Sequence, residues 1–168
     1  MGFIGAYSNG IGFGNISQRL KQNQFIISGS GTGKFEKLTN RHYTKVTGFD
    51  IGNNSIIADG PIIPSSESLT HAVIYRYTKD INAIIHIHSI GLWKKLLDIV
   101  PTTKKNVEYG TPRMAKEIER LFKETNLFKG KILVMAGHEE GIISFGKNLA
   151  EAGKIICDYS APKRSTVR

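Results

Sequence analysis

Residues 83–89 read Ala-Ile-Ile-His-Ile-His-Ser and carry the clearest structural signal in the chain. On a β-strand, side chains two residues apart point to the same face. His86 and His88 therefore project together, while Ile85 and Ile87 face the other side. A buried strand gains nothing from two adjacent imidazoles unless something binds between them, and zinc and related divalent ions do so. The segment predicts a strand that carries part of a metal site.

A third histidine, His138, follows an apolar run at residues 132–136 that is predicted to form another strand. In α/β sheets, ligands bind where strands end, so this histidine is placed to join the pair on the first strand. Together the three would make a three-nitrogen metal site with an open coordination position. The alternative is a group of histidines satisfied by hydrogen bonds in a polar cleft. His42 is expected in a surface loop and His71 within a helix.

The rest of the chain alternates between strand and helix patterns. Strands are predicted at residues 25–27, 44–50, 55–58, 83–88, 131–136 and 142–145. Helices are predicted at residues 65–77, 90–99, 112–122 and 149–157, the third with Pro112 near its first turn. This alternation, without an internal repeat or linker, predicts an α/β fold.

Length and composition predict one globular domain. The chain has 168 residues, of which 40% are hydrophobic and 22% charged, an ordinary balance that argues against disorder. Its one cysteine, Cys157, cannot form an internal disulfide, and residues 1–5 lack the order of a signal peptide. No apolar run approaches the roughly 20 residues needed to cross a bilayer. We expect one cytoplasmic domain over residues 1–168, with a flexible basic tail at 160–168.

The charge balance indicates first of all a solvated basic surface. The net charge is +9, because 23 lysines and arginines outnumber 14 acidic residues. These basic residues are spread along the chain, without an arginine-rich block or a basic stripe interleaved with aromatics, which argues against nucleic-acid binding. Phosphate esters remain compatible with such a surface.

Three short segments offer hydroxyl, amide and backbone N–H groups of the kind that cradle phosphate oxygens. They are residues 14–17, 28–33 and 65–66. Singly, each could equally be a turn or a helix cap. The glycines at 29–33 do not have P-loop spacing, and those at 10–14 do not have dinucleotide-fingerprint spacing, so both nucleotide-binding motifs are excluded.

Several of these segments occur together and in a recognisable order. They are Gly14-Asn15-Ile16-Ser17, Ser30-Gly31 with Leu38-Thr39, Ser65-Ser66-Glu67, His86-Ile87-His88-Ser89, Gly110-Thr111-Pro112 and Gly137-His138. In this order the chain resembles the class II aldolase and adducin head-domain family, whose type member is L-fuculose-1-phosphate aldolase. The resemblance implies a central, largely antiparallel β-sheet flanked by helices in three layers, and assembly as a homotetramer.

The resemblance also implies roles for individual residues. It implies that His86, His88 and His138 bind zinc, or alternatively Mn²⁺, Co²⁺ or Fe²⁺, and that Glu67 is the catalytic acid/base. The implied phosphate pocket comprises Asn15, Ser30, Gly31, Ser65 and Ser66. The family's proton-donating tyrosine has no identified counterpart, because the segment that carries it is shortened here.

The function that the resemblance implies is a metal-dependent lyase. It would cleave or form a carbon–carbon bond of a small phosphorylated ketose, through an enediolate stabilised by the metal's charge. A pentulose-5-phosphate 4-epimerase and a methylthioribulose-phosphate dehydratase are alternatives within the family. A non-catalytic adducin-like interaction module is the alternative of another class, and the three histidines with Glu67 argue against it.

Overall fold

The computed structural model describes residues 2–162, and its main feature is a sheet of seven strands. The strands of the chain are β1 (Gly5–Ala6), β2 (Gly12–Phe13), β3 (Asn15–Lys21), β4 (Gln24–Ser28), β5 (Tyr43–Asp50), β6 (Ser55–Asp59), β7 (Ala83–His88), β8 (Ile132–Val134) and β9 (Gly141–Gly146). The helices are α1 (Ser68–Tyr77), α2 (Ile90–Leu96), α3 (Pro112–Glu124), α4 (Leu127–Gly130) and α5 (Leu149–Ser160).

The sheet is antiparallel throughout. Its strand order is β6-β5-β4-β3-β7-β9-β8, and each neighbouring pair runs in opposite directions. Strands β1 and β2 pair with each other in a separate N-terminal hairpin. The predicted α/β class with a central, largely antiparallel sheet and flanking helices is confirmed.

Helices pack on both faces of the sheet, but unevenly. Helices α1 and α3 bury their apolar side chains against one face, in a cluster that includes Phe25, Val46 and Ile84 from the strands. Helices α2 and α5 cover the opposite face of β7, β8 and β9. The second face is open beside β3 and β6, where Leu20 is 50% exposed and Ile57 66% exposed.

Side-chain caps explain where three of the helices begin. Ser89, Thr111 and Asn148 precede α2, α3 and α5, and each accepts a hydrogen bond from a backbone N–H of the first turn. Pro112 opens α3, where its missing N–H leaves no donor unsatisfied. Within residues 2–162, no helix is both long and apolar enough to span a bilayer.

Several predicted boundaries were wrong. The helix expected at residues 65–77 begins at Ser68, because residues 65–67 form a turn in which Ser68 N–H donates to Ser65 O. The strand expected at 131–136 is shorter, and the helix expected at 90–99 ends at Leu96. The helix expected at 149–157 continues to Ser160, so the predicted tail does not begin there; residues 163–168 lie outside the described part.

Candidate metal centre and active-site cleft

Strand β7 carries two histidines on one face. His86 is buried opposite Asn15 of β3, and His88 is partly buried at the end of the strand. Ile85 and Ile87 pack into the cluster on the other face, with α2 and α5. The alternation along the strand therefore separates the imidazoles from the isoleucines, as the sequence predicted.

His138 lies in the tight loop between β8 and β9. Its N–H donates to Met135 O at 3.1 Å, and Gly141 N–H donates to His138 O at 2.8 Å. Position 141 has no room for a side chain, because a Cβ there would lie 2.4 Å from the His138 ring. Since Gly141 pairs with His88 across the sheet, the loop brings His138 beside the end of β7.

The three imidazoles present their Nε2 atoms to one another. His88 Nε2 lies 3.0 Å from His86 Nε2 and 3.0 Å from His138 Nε2. One ligand nitrogen of each ring falls within 4.8 Å of the other two. In a tetrahedral site with Zn–N distances of about 2.05 Å, two ligand nitrogens lie about 3.3 Å apart. The spacing of the rings therefore fits a divalent ion of this size.

Hydrogen bonds at the far side of two rings determine where their protons lie. His86 Nδ1 is 3.2 Å from the carbonyl oxygen of Ile142, which can only accept, so Nδ1 carries the proton. The Tyr7 hydroxyl donates its one hydrogen to Glu140 Oε2 at 2.6 Å, so it accepts from His88 Nδ1 at 2.8 Å. In neutral rings the two Nε2 lone pairs then face each other, an arrangement that a shared cation relieves.

Burial favours the neutral form of all three histidines. Burial, reinforced by His138 and His88, lowers the pKa of His86 well below its usual value. Burial and the neighbouring His88 lower the pKa of His138 to about 4. Burial also lowers the pKa of His88, although Glu140 opposes this shift. Neutral imidazole is the form that binds metals, so the donor set fits a divalent cation.

Glu67 places an unpaired carboxylate in the same region. It precedes α1 and is 2% exposed, and neither of its carboxylate oxygens has a hydrogen-bond partner among residues 2–162. Burial raises its pKa from 4.5 to about 7. Burying an acid without a partner lowers the stability of the fold. Acids in clefts whose pKa is shifted in this way are candidates for proton transfer.

One cleft of about 480 Å³ collects the three histidines, Glu67 and the residues of the implied phosphate pocket. Its lining includes Asn15, Ser30, Gly31, Ser65, Ser66, Glu67, His86, His88 and His138. Two of the hydroxyl and amide groups contact each other, since Asn15 Nδ2 donates to Ser65 Oγ at 3.0 Å. Asn15 Oδ1 is buried without a partner in the described part of the chain. The cleft therefore combines the three histidines, a buried acid and small polar groups.

The expectation of accessible backbone N–H groups is wrong at several positions, among them Gly29, whose N–H donates to the carbonyl of His42 at 2.8 Å. The Ser30 N–H donates to the carbonyl of Ile63 at 2.9 Å, so Ser30 can offer a ligand only its hydroxyl. Gly31 follows in a left-handed conformation with φ of 70°, which glycine adopts without strain.

Sequence reasoning missed the aromatic and acidic residues at the rim of the cleft. Tyr7 and Phe13 come from the N-terminal hairpin, and the Tyr109 ring lies 4.1 Å from the His138 ring. Glu139 also lines the cleft, and Glu140 reaches Tyr7. The one available signal was the acidic pair directly after His138, because Tyr7 meets His88 only through the fold.

Comparison with known proteins agrees with this arrangement. The family model described as "Class II Aldolase and Adducin N-terminal domain" matches residues 8–93. An L-fuculose phosphate aldolase of Methanocaldococcus jannaschii is 30% identical in an alignment that covers 83% of this chain and 85% of the relative. A methylthioribulose-1-phosphate dehydratase of Leptospira biflexa is 28% identical over 84% of this chain and 79% of its own length.

The fold is also shared with a solved structure. An L-fuculose 1-phosphate aldolase matches with a TM-score of 0.68 over 91% of this chain and 73% of its own, at 23% identity. Both sequence relatives are named as enzymes, which supports the prediction of an enzyme. By its matched family model and its relatives, the chain belongs to the class II aldolase and adducin N-terminal domain family.

Proposed function

We propose that this protein is a divalent-metal-dependent lyase that cleaves or forms a carbon–carbon bond of a small phosphorylated ketose by aldol chemistry. The observation that carries the proposal is the convergence of three histidine Nε2 atoms in a cleft that also holds the unpaired carboxylate of Glu67. A scaffold without catalysis has no physical need for this combination, which costs stability.

His86, His88 and His138 would hold the ion, and zinc is the metal we propose because three neutral nitrogens with an open position suit it. Mn²⁺, Co²⁺ and Fe²⁺ also accept imidazole ligands. A bound divalent ion would polarise the substrate carbonyl and offset developing negative charge, an effect worth several kcal/mol. Residues of the chain would transfer the proton and bind the phosphate.

Glu67 is the proposed proton carrier. In aldol cleavage a proton leaves the hydroxyl that becomes the aldehyde, the carbon–carbon bond breaks, and its electron pair passes to the ketone side, which later takes up a proton. With a pKa of about 7, the Glu67 carboxyl is divided between its two protonation states near neutral pH. It can therefore accept a proton and return it, and such general acid–base catalysis contributes roughly 10²–10⁴-fold.

The phosphate of the substrate would be held by neutral donors. Ser30, Ser65 and Ser66 offer hydroxyl groups and Asn15 an amide, all at the wall of the cleft. Among residues 2–162, no lysine or arginine lines this cleft. Hydroxyl and amide donors fix the orientation of the phosphate, and this remote binding positions the reacting carbons.

A dehydratase acting on a phosphorylated ketose is the second candidate. The relative from Leptospira biflexa carries that name and matches about as much of the chain as the aldolase relative does. Both reactions generate an enolate beside the carbonyl. Aldol cleavage generates it by breaking a carbon–carbon bond and releases an aldehyde, whereas a dehydratase generates it by removing a C–H proton and then releases water. The products therefore separate the two candidates.

The test is a product assay on the metal-loaded protein with a panel of phosphorylated ketoses. The proposal predicts aldehyde release, and the Glu67→Gln variant should keep its metal while turnover falls by at least about 10². Glu124→Gln is the matched control, because this carboxylate is exposed at the far end of α3. Loss of water without aldehyde release would favour the dehydratase, and unchanged turnover in Glu67→Gln would end the role of this residue.

A further inference from the structure

Tyr7 joins two parts of the cleft that strand pairing does not connect. It lies between β1 and β2, and its hydroxyl is 2.8 Å from His88 Nδ1 and 2.6 Å from Glu140 Oε2. The nearer oxygen of Glu140 is 3.7 Å from His88 Nδ1, which is too far for a hydrogen bond. The tyrosine hydroxyl therefore bridges the carboxylate and the imidazole.

The direction of this bridge determines the tautomer of His88. A carboxylate only accepts hydrogen bonds, so the Tyr7 hydrogen points to Glu140 and the hydroxyl oxygen accepts from His88 Nδ1–H. The proton on Nδ1 leaves Nε2 with a lone pair, directed at the corresponding atoms of His86 and His138. Partners of this kind orient metal-binding histidines in many proteins.

The hairpin also fixes the plane of the His88 ring. Phe13 stacks on that ring, with 5.3 Å between the ring centroids and 23° between the planes. The centroid of the Tyr7 ring lies 4.6 Å from that of Phe13. Glu140 has φ of 70°, a region that residues other than glycine rarely adopt. Its carbonyl accepts from Ser89 N–H at 3.0 Å, which ties its strained backbone to the end of β7.

We propose that Tyr7 and Glu140 are positioning residues that hold His88 as the Nδ1-protonated tautomer, so that the N-terminal hairpin completes the three-histidine metal centre from within the same chain. This inference rests on the proposed function only in requiring that the three histidines bind a divalent ion.

The test measures Co²⁺ binding to the metal-free protein by competition with a chromophoric chelator, and records the visible spectrum of the bound Co²⁺. Tyr7→Phe keeps the ring contact with Phe13 and removes only the bridging hydroxyl. It should weaken Co²⁺ binding about 10–100-fold and change the spectrum, because the imidazole is no longer oriented. The matched control is Tyr43→Phe, whose ring lines a separate depression on the sheet and should leave both readouts unchanged.

A double-mutant comparison separates the hydrogen-bonded bridge from a simple charge effect. If Glu140 acts through Tyr7, Glu140→Ala should weaken Co²⁺ binding strongly in the wild type and by less than about twofold in the Tyr7→Phe background. If the charge of Glu140 acted on His88 directly, the same factor would appear in both backgrounds, which would overturn the bridge. Glu140→Gln keeps an oxygen that accepts from Tyr7, so it should restore most of the affinity lost in Glu140→Ala.

The outcomes also distinguish this inference from the proposed function. Wild-type Co²⁺ affinity and spectrum in Tyr7→Phe would overturn the positioning role while leaving the three-histidine site intact. Absence of Co²⁺ binding in the wild type would overturn the site and, with it, this inference. Circular dichroism and thermal melting of each metal-free variant identify any loss that comes from unfolding instead.

Discussion

The behaviour of Glu67 is dominated by burial. With 2% exposure and no hydrogen bond of ordinary geometry in the described chain, its carboxylate is shielded from water, and only the nearby Thr70 side chain favours its charged form. The pKa of about 7 follows from this desolvation. The same property that suits Glu67 to proton transfer near neutral pH therefore makes the folded protein sensitive to pH.

The sign of that dependence follows from the two protonation equilibria. Below pH 4.5 the carboxyl is protonated in both the folded and the unfolded chain. Between pH 4.5 and about 7 the unfolded chain releases the proton and the folded chain keeps it, so the free energy of unfolding falls as pH rises. Above this window the loss is constant, at about 3 kcal/mol.

Glu67→Gln in the metal-free protein should remove this loss. The advantage in stability of the variant over the wild type should grow between pH 4.5 and 8. Its melting temperature should exceed that of the wild type by roughly 10 °C at the upper end of this range. The buried histidines act in the opposite direction, because their lowered pKa values reduce stability as pH falls, but they are common to both proteins and cancel in the difference. A difference in melting temperature between the two proteins that stays the same at all pH values would contradict the raised pKa of Glu67.

The N-terminal hairpin is the element that places Tyr7 over the cleft, and it does so by close backbone packing. It packs on residues 31–33 so closely that a Cβ on Gly33 would lie 2.2 Å from Gly5 O and 2.7 Å from Phe13 O. A Cβ on Gly12 would lie 2.9 Å from the carbonyl carbon of Gly31. Backbone contacts this close leave no space for side chains, so glycine is required to seat Tyr7 over the cleft.

Gly33→Ala should therefore displace the hairpin. We expect a cost of about 1–3 kcal/mol from overpacking, together with faster proteolysis within residues 2–14. Gly91→Ala is the control, because no atom lies within 4 Å of a Cβ at this helical position and alanine favours helix. Thermal melting and limited proteolysis of both variants measure the difference, and equal behaviour would contradict the tight seating of the hairpin.

The contrast between β7 and β3 explains what could be predicted of the fold. The alternation of isoleucine and histidine in β7 is typical of a buried strand whose two faces differ. This strand was predicted with correct bounds. Strand β3 was missed because it follows Gly14 and carries Gln18, Arg19 and Lys21, which read as a polar turn region. It nevertheless pairs on one side with β4, the next strand in the chain, and on the other with β7, which is distant in sequence.

The same distinction applies to the candidate site. The histidines and Glu67 could be nominated because strand alternation and ordered motifs mark them along the chain. Tyr7 could not, since it meets a histidine 81 positions away and a glutamate 133 positions away. Such contacts depend on how the hairpin packs, and no local pattern encodes that.

The basic side chains of residues 2–162 lie outside the cleft. The chain carries a net charge of +9, yet the cleft is lined by neutral and acidic side chains within residues 2–162. Attraction of a phosphorylated substrate would therefore act over long range and weaken with salt. The homotetramer implied by the resemblance stays a prediction, as do the cytoplasmic location and the single domain over residues 1–168 expected from the composition of the chain.

Metal content shows whether His86, His88 and His138 hold a divalent ion. Inductively coupled plasma mass spectrometry on untagged protein after gel filtration should find about one divalent ion per chain, as a three-histidine site requires. His86→Ala should lose the ion while remaining folded by circular dichroism, and His42→Ala, in the 3₁₀ turn Asn40–His42 outside the cleft, should keep it. A wild-type protein without metal, which also takes up no zinc, manganese or cobalt, would contradict the account.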